Sequence, residues 1–247
     1  MPTASRIAHA GLPFANPMSE IAVDAAIAVL PLPVDASILD AGCGTGEMLV
    51  RAVSAHPGAR GLGVDLDEDA IAEARHRATD LPLRFEVRDA ATVSGEFDAV
   101  INVASSHVHG GFPAALEALR GMAPTILYGE GFWQRPPTPE FLTALGGATE
   151  HELADLNGLR AAIRGVSLEI LHESLATDDG WAQYEETLAR NAERQGDPDS
   201  LAYAQRIRAR RALPGGTDTL GFALFVLRRR RSPNEVSGKV RRHVRGR

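Results

Sequence analysis

The chain has one cysteine and one lysine in 247 residues. A lone Cys43 cannot make an intrachain disulfide, an iron–sulfur cluster or a cysteine-based zinc site, and it fits a reducing cytoplasm. Lys239 lies in a polar tail, a poor place for burial or a depressed pKa, which argues against Schiff-base catalysis. Long apolar runs are also missing: no stretch approaches the roughly 18 residues of a membrane span. Residues 1–15 carry a single Arg and no apolar core of the kind that marks a secretory leader.

What is present suffices for a core. Hydrophobic residues make up 44% and charged residues 23%, values that support one packed α/β domain and not a disordered chain. The charge is unevenly spread. Residues 228–247 carry nine Arg or Lys against one Glu, so the net −6 of the whole chain becomes −14 over residues 1–227. An acidic body repels phosphate backbones, which argues against nucleic acid as a partner. The basic tail, 231–247, reads as a solvated, disordered end.

Hydrophobic periodicity sets out alternating elements. A helix over 18–30 stops at Pro31 and Pro33. Strand 37–41, a Gly-rich turn and helix 47–55 follow, then strand 61–66, helix 68–78 behind an Asp67 cap, and strands 83–88 and 97–103. Helix 113–121 and strand 125–130 continue the pattern. Beyond Trp133 three prolines open a loop. Helices over 140–145 and 151–163, a strand over 166–172, helices over 179–194 and 201–211, and a last strand over 219–227 complete the chain. Such alternation predicts a doubly wound α/β fold: a mainly parallel, Rossmann-like sheet with helices on both faces and a helical insertion before the last strand.

The turn Asp40-Ala41-Gly42-Cys43-Gly44-Thr45-Gly46 places glycines where tight backbone angles and close ligand approach are needed. The third glycine of the dinucleotide fingerprint is absent, since Glu47 stands there, and no Gly-Lys-Ser/Thr follows as in a phosphate loop. An acid at the strand end suits a cationic ligand better than a phosphate. Further acids, Asp65 in Val64-Asp65-Leu66 and Asp89 in Arg88-Asp89-Ala90, end the next two strands at the crevice side of the sheet.

With these three sites the sequence resembles the class I S-adenosylmethionine-dependent methyltransferases, in their bacterial small-molecule type, over residues 35–130. The resemblance implies S-adenosylmethionine as donor, S-adenosylhomocysteine as product and no metal. It implies a donor site formed by Asp40, Gly42, Gly44 and Gly46, by Asp65 and Leu66 at the ribose, by Asp89 and Ala90 at the adenine, and by Asn102. A carboxylate at position 65 can accept both hydroxyls of a ribose diol. The sequence Asn102-Val103-Ala104-Ser105 lacks the Asn/Asp-Pro-Pro-aromatic signature with which methyltransferases of DNA amines grip a planar base, so the expected acceptor is a small molecule.

The acceptor side is read from single residues. His107 and His109 follow the fourth strand and are candidates for a general base, or loop residues without a catalytic role. Glu130, Phe132 and Trp133 end the fifth strand, and Glu130 and Trp133 are candidate acceptor residues, with core packing the rival for Trp133. Trp181 and Tyr184 lie on a helical stripe that either packs on the domain or lines a lid over the acceptor. The expectation is one domain over 1–230, with a helical lid or insertion over 132–215, in a cytoplasmic monomer or homodimer. Two other classes stay open: a nicotinamide oxidoreductase on the same fold, and a protein that binds the donor without turnover.

Overall fold

The computed structural model describes residues 3–78 and 80–230. Strands β1 (Ser37–Ala41), β2 (Arg60–Asp65), β3 (Leu83–Val87), β4 (Ala99–Val103), β5 (Thr125–Trp133), β6 (Leu168–Leu175) and β7 (Leu220–Arg229) form one sheet in the order β3-β2-β1-β4-β5-β7-β6. The first five run parallel, and β7 is antiparallel to both β5 and β6. The order reverses between β1 and β4, which opens a crevice at their carboxyl ends.

Helices cover both faces because the central strands are apolar on both. On one face α2 (Glu20–Ala28), α3 (Glu47–Ala55) and α4 (Glu68–Arg77) pack Ile27, Leu49 and Ile71 against Ile38, Ile101 and Leu127. On the other, α5 (Ala114–Met122) and α7 (Leu156–Gly165) pack Leu116, Leu119 and Ile163 against Leu39, Val100 and Ile126. The helix starts are fixed by their caps: Ser19 accepts from the Ala22 amide, and Asp67 accepts from Asp69 and Ala70 at 3.0 Å.

Several boundaries differ from the sequence reading. The helix expected from 151 begins at Leu156, because Asp155 caps it by accepting from the Gly158 amide at 2.6 Å. β5 runs to Trp133, paired residue by residue with β7 down to Leu220. The stretch 132–215 holds β6 as an edge strand of the sheet besides its helices α6 (Pro139–Ala144), α7, α8 (Asp178–Gln195) and α9 (Pro198–Ala212). Only α8 and α9 interrupt two neighbouring strands, β6 and β7. The basic tail, 231–247, lies outside the described residues.

A short helix α1 (Ala4–Ala8), which the sequence reading did not foresee, folds back onto α8 and α9. Ala8 enters a small apolar cluster with Leu188, Ala192, Ala204 and Ile207. The Asn191 side-chain amide donates to the carbonyls of Ala8 and Ala10 at 2.9 and 2.8 Å. Behind this cluster the buried Glu185 carboxylate is held by Arg210 and Arg211.

Candidate active site

The Gly-rich turn lies where β1 delivers it, at the crevice. Gly42, Gly44 and Gly46 all hold positive φ, at 82°, 52° and 79°. The reasons differ in what surrounds them. A Cβ at Gly42 would lie 2.6 Å from Ser105 Cβ, and one at Gly46 2.7 Å from the Phe85 ring, whereas a Cβ at Gly44 meets nothing within 4 Å. Two glycines let the turn nest against the body, and the third faces open space.

A cavity of about 330 Å³ opens beside this turn. Asp40, Gly42, Cys43, Gly44 and Thr45 form its floor and Val103, at the end of β4, one wall. The roof is the amino-terminal segment: Arg6, His9, Phe14 and Asn16 all line it. Arg6 is tied to Asp67 at 2.8 Å, Phe14 packs under the Arg51 guanidinium, and the buried Asn16 accepts from the Met18 amide. Sequence reasoning missed this roof altogether. The Thr3 cap of α1 was its one local signal, a hydroxyl accepting from the Arg6 amide.

Asp40 is buried, and its Oδ2 has no hydrogen-bond partner. Burial, with the nearby Asp65 charge adding to it, pushes its carboxyl up to about 8. Its unpartnered oxygen lies on the floor of the cavity, and a buried polar atom left without a partner costs free energy. Burial also holds the Cys43 thiol well above its ordinary range, with Asp40 and Asp65 acting in the same direction, so Cys43 stays a neutral thiol and is no nucleophile.

Asp65 is already oriented: Oδ2 accepts from the Gly44 amide at 2.8 Å and Oδ1 from the Asp67 amide at 3.0 Å. Each oxygen keeps a lone pair for a diol. Leu66 beside it is 68% exposed, a free apolar face. Asp89 accepts from the Ala91 amide through Oδ1 and starts a short turn, Ala90–Thr92, in which Ala90 is buried. The three acids thus lie at the ends of consecutive strands, as expected.

Other expected site residues are placed differently. Asn102 is fully buried, and its amide donates to the Ala41 carbonyl and to Ser105, bracing the ends of β1 and β4 instead of lining the cavity. Glu130 is buried and accepts from the Tyr128 hydroxyl at 2.7 Å. Trp133 is buried too: its indole donates to the Glu150 carbonyl at 2.8 Å and its ring meets Phe141 edge-on. The period of two along β5 explains the failure, since residues 130 and 133 belong to opposite faces and cannot share one crevice.

His107 and His109 sit on the turn Ser106–His109 after β4, and neither lines the cavity. His107 is exposed. His109 is half-buried with Nε2 unpartnered, and burial lowers its pKa against the opposing pull of Asp89. The imidazole in the cavity is His9, whose Nδ1 bonds the Ser5 carbonyl and whose Nε2 bonds the Tyr184 hydroxyl at 2.7 Å. Burial lowers the His9 pKa too, against the Ser5 bond, so the ring is neutral near pH 7 and Tyr184 is the donor in that pair. Trp181 and Tyr184 stand together on α8, ring centroids 6.1 Å apart. Among the described residues no group of three or more His, Cys, Asp or Glu could hold a metal ion, and no helix is long and apolar enough to cross a membrane.

Between Val103 and the buried Ser105, Ala104 holds φ at 57° with a side chain exposed to solvent. A non-glycine residue there costs about 1–2 kcal/mol. Ala104→Gly is therefore expected to stabilise the chain by about 0.5–1 kcal/mol after glycine's own entropy cost. Urea unfolding checks this: the midpoint should rise with an unchanged slope.

The fold is a doubly wound sheet with an unpartnered acid at a Gly-rich turn and two more acids at the next strand ends. The comparisons with known proteins agree. The family model for a methyltransferase domain matches residues 38–124. The Escherichia coli protein YjhP is 30% identical over 229 residues, covering 86% of this chain and 92% of its own, and its crystal structure superposes with a TM-score of 0.81 over 93% of this chain and all of that one. A methyltransferase of Geobacter sulfurreducens in complex with S-adenosylhomocysteine is 25% identical with a TM-score of 0.82, covering 93% of this chain and 99% of that one. A third, from Thiobacillus denitrificans and also with S-adenosylhomocysteine, is 27% identical with a TM-score of 0.78, over the same shares. The chain belongs to the class I S-adenosylmethionine-dependent methyltransferases. Its donor is S-adenosylmethionine, and of the classes left open by the sequence, the oxidoreductase and the non-catalytic binder give way to the methyltransferase.

Proposed function

We propose that the chain transfers the methyl group to a nucleophilic nitrogen, oxygen or carbon of a small molecule, as a single cytoplasmic domain over 1–230 that works as monomer or homodimer. The observation that carries this reading is the roof. The cavity of about 330 Å³ beside the Gly turn is covered by α1 and residues 12–16 of the same chain, which favours a small acceptor over a duplex or a folded protein. The acidic body points the same way.

S-adenosylmethionine supplies a methyl group already activated on a sulfonium. Asp40 offers the cationic part of that ligand a buried negative charge, and Asp65 holds the ribose diol. Leu66 lies beside the ribose, Asp89 and Ala90 hold the adenine, and Gly44 gives up its side chain so that the ligand can lie against backbone. The chain's remaining task is to align an acceptor with the methyl and keep water out, so a base is needed only for an acceptor that arrives protonated. The test offers the protein donor labelled in its methyl group together with a cell extract. Label recovered in the small-molecule fraction supports the reading, and label confined to protein or nucleic acid overturns it.

The positions of the two loop imidazoles give a separable prediction. His109 stands against Asp89 on the adenine side, so His109→Ala is expected to weaken donor affinity roughly two- to tenfold, the worth of one polar contact, without changing kcat. His107→Ala, at an exposed position, is expected to change neither. Calorimetric titration with S-adenosylhomocysteine beside a kcat measurement separates these effects, and a fall in kcat for either variant would restore the general-base role.

A further inference from the structure

A second cavity, of about 560 Å³, lies between α8, α9 and the end of α6. Its walls include the aromatic and aliphatic side chains of Trp181, Tyr184, Leu188, Tyr203 and Ile207. The Trp181 indole N–H is buried and finds no acceptor within the protein. The Tyr184 phenol is held neutral, because burial, with Tyr203 and Glu185 adding to it, raises its pKa.

The charges around this cavity run against those of the body. Glu185, Arg206 and Arg210 all line it. Glu185 is fully taken up by Arg210 and Arg211. Arg206 forms no ion pair among the described residues and lies over the Tyr203 ring at 5.7 Å. Among the residues that line the cavity, two Arg against one Glu leave one net positive charge, in a body that is otherwise strongly acidic.

The two cavities are separated by one contact. His9 lines the first and Tyr184 the second, and a hydrogen bond of 2.7 Å joins them. A molecule in the second cavity is thus a single pair of side chains away from the donor's chamber.

We propose that the second cavity is the acceptor chamber, and that it takes a planar aromatic or apolar small molecule bearing one negative charge. The rings of Trp181, Tyr184 and Tyr203 cover its flat body, and Arg206 meets the anionic group. The His9–Tyr184 pair is the partition through which its nucleophilic end reaches the methyl. This rests on the methyltransferase reading above, and the test keeps the two apart.

Naphthylacetate, naphthylacetamide and naphthylethylamine share one flat body and differ in charge. Calorimetric titration of the full chain saturated with S-adenosylhomocysteine is expected to rank them anion, amide, amine, with the anion roughly fivefold tighter than the amide, the worth of one partly exposed ion pair. Arg206→Gln should level anion and amide, Arg206→Glu should reverse the order of anion and amine, and Trp181→Phe should weaken all three. Arg206 is exposed, so its variants fold, and S-adenosylhomocysteine affinity should not move in them. No preference for the anion, or a preference that survives Arg206→Gln, overturns the proposal while leaving the donor site standing. A wild-type chain that fails to bind S-adenosylhomocysteine overturns the donor reading instead.

Discussion

Asp40→Asn is expected to weaken S-adenosylmethionine binding roughly ten- to a hundredfold, the range for losing a charged partner in a buried site, and at the same time to stabilise the ligand-free chain near pH 8. The two effects have one cause, a carboxylate kept in the dry interior with an unpaired oxygen. Its folded pKa is raised above its unfolded value, so the folded chain holds this proton more tightly than the unfolded one. The stability tied to the neutral form is fully present below the ordinary carboxylate value of 3.8 and drains away as pH rises through about 8. The melting-temperature gap between Asp40→Asn and wild type should therefore widen from about pH 5 to about pH 8. A constant gap would remove Asp40 from the account.

Donor binding should mirror this. Below about pH 8 the ligand-free Asp40 must give up its proton to meet a cation, so affinity should climb by close to tenfold for each unit between about pH 6 and about pH 7.5. Above that window the donor's own amino group, with an ordinary pKa of about 7.7–8.0, begins to lose its charge. Calorimetry in buffers of different ionisation enthalpy should show proton release on binding by wild type and none by Asp40→Asn.

The second large effect separates two glycines of the same turn. Gly46→Ala places a Cβ 2.7 Å from the Phe85 ring at a backbone φ of 79°, and both insults are structural. A loss of about 2–4 kcal/mol of stability is expected, combining left-handed strain with overpacking of a filled core. Gly44→Ala meets no neighbour within 4 Å, so it bears only the strain at φ 52°, about 1–2 kcal/mol. Its methyl group occupies the space where the ligand lies, and donor binding should fall by at least tenfold, about 1.4 kcal/mol or more, in a folded protein. Thermal melts beside S-adenosylhomocysteine titrations give the comparison. Equal stability losses with equal affinities would show that the turn has no ligand side.

What the sequence made legible follows from the range of the contacts involved. Asp40 and the glycines lie within a strand, a turn and the start of the next helix, and Asp65 and Asp89 stand at the ends of the next two strands, so local spacing and strand alternation carry their placement, and right-handed crossovers make the sheet parallel. The roof could not be read this way. His9 meets Tyr184 across 175 residues and Ala8 meets Asn191 across 183, and no local pattern in residues 3–16 announces such partners. Glu130 and Trp133 were legible in kind but not in direction, because extending β5 by three residues past 130 puts its alternation to use. Asn102 looked like a ligand contact because it ends a strand in the crevice, yet its amide finds three acceptors in the protein itself.

The roof also sets a timetable. Its residues are made long before the side chains that latch them, Tyr184 and Asn191, which follow 175 and 183 residues later. The Gly turn and its three acids can assemble on the growing chain well before that, as an open shelf. Closure over the donor waits for α8 and α9, and β7, made after both, must still complete the sheet between β5 and β6.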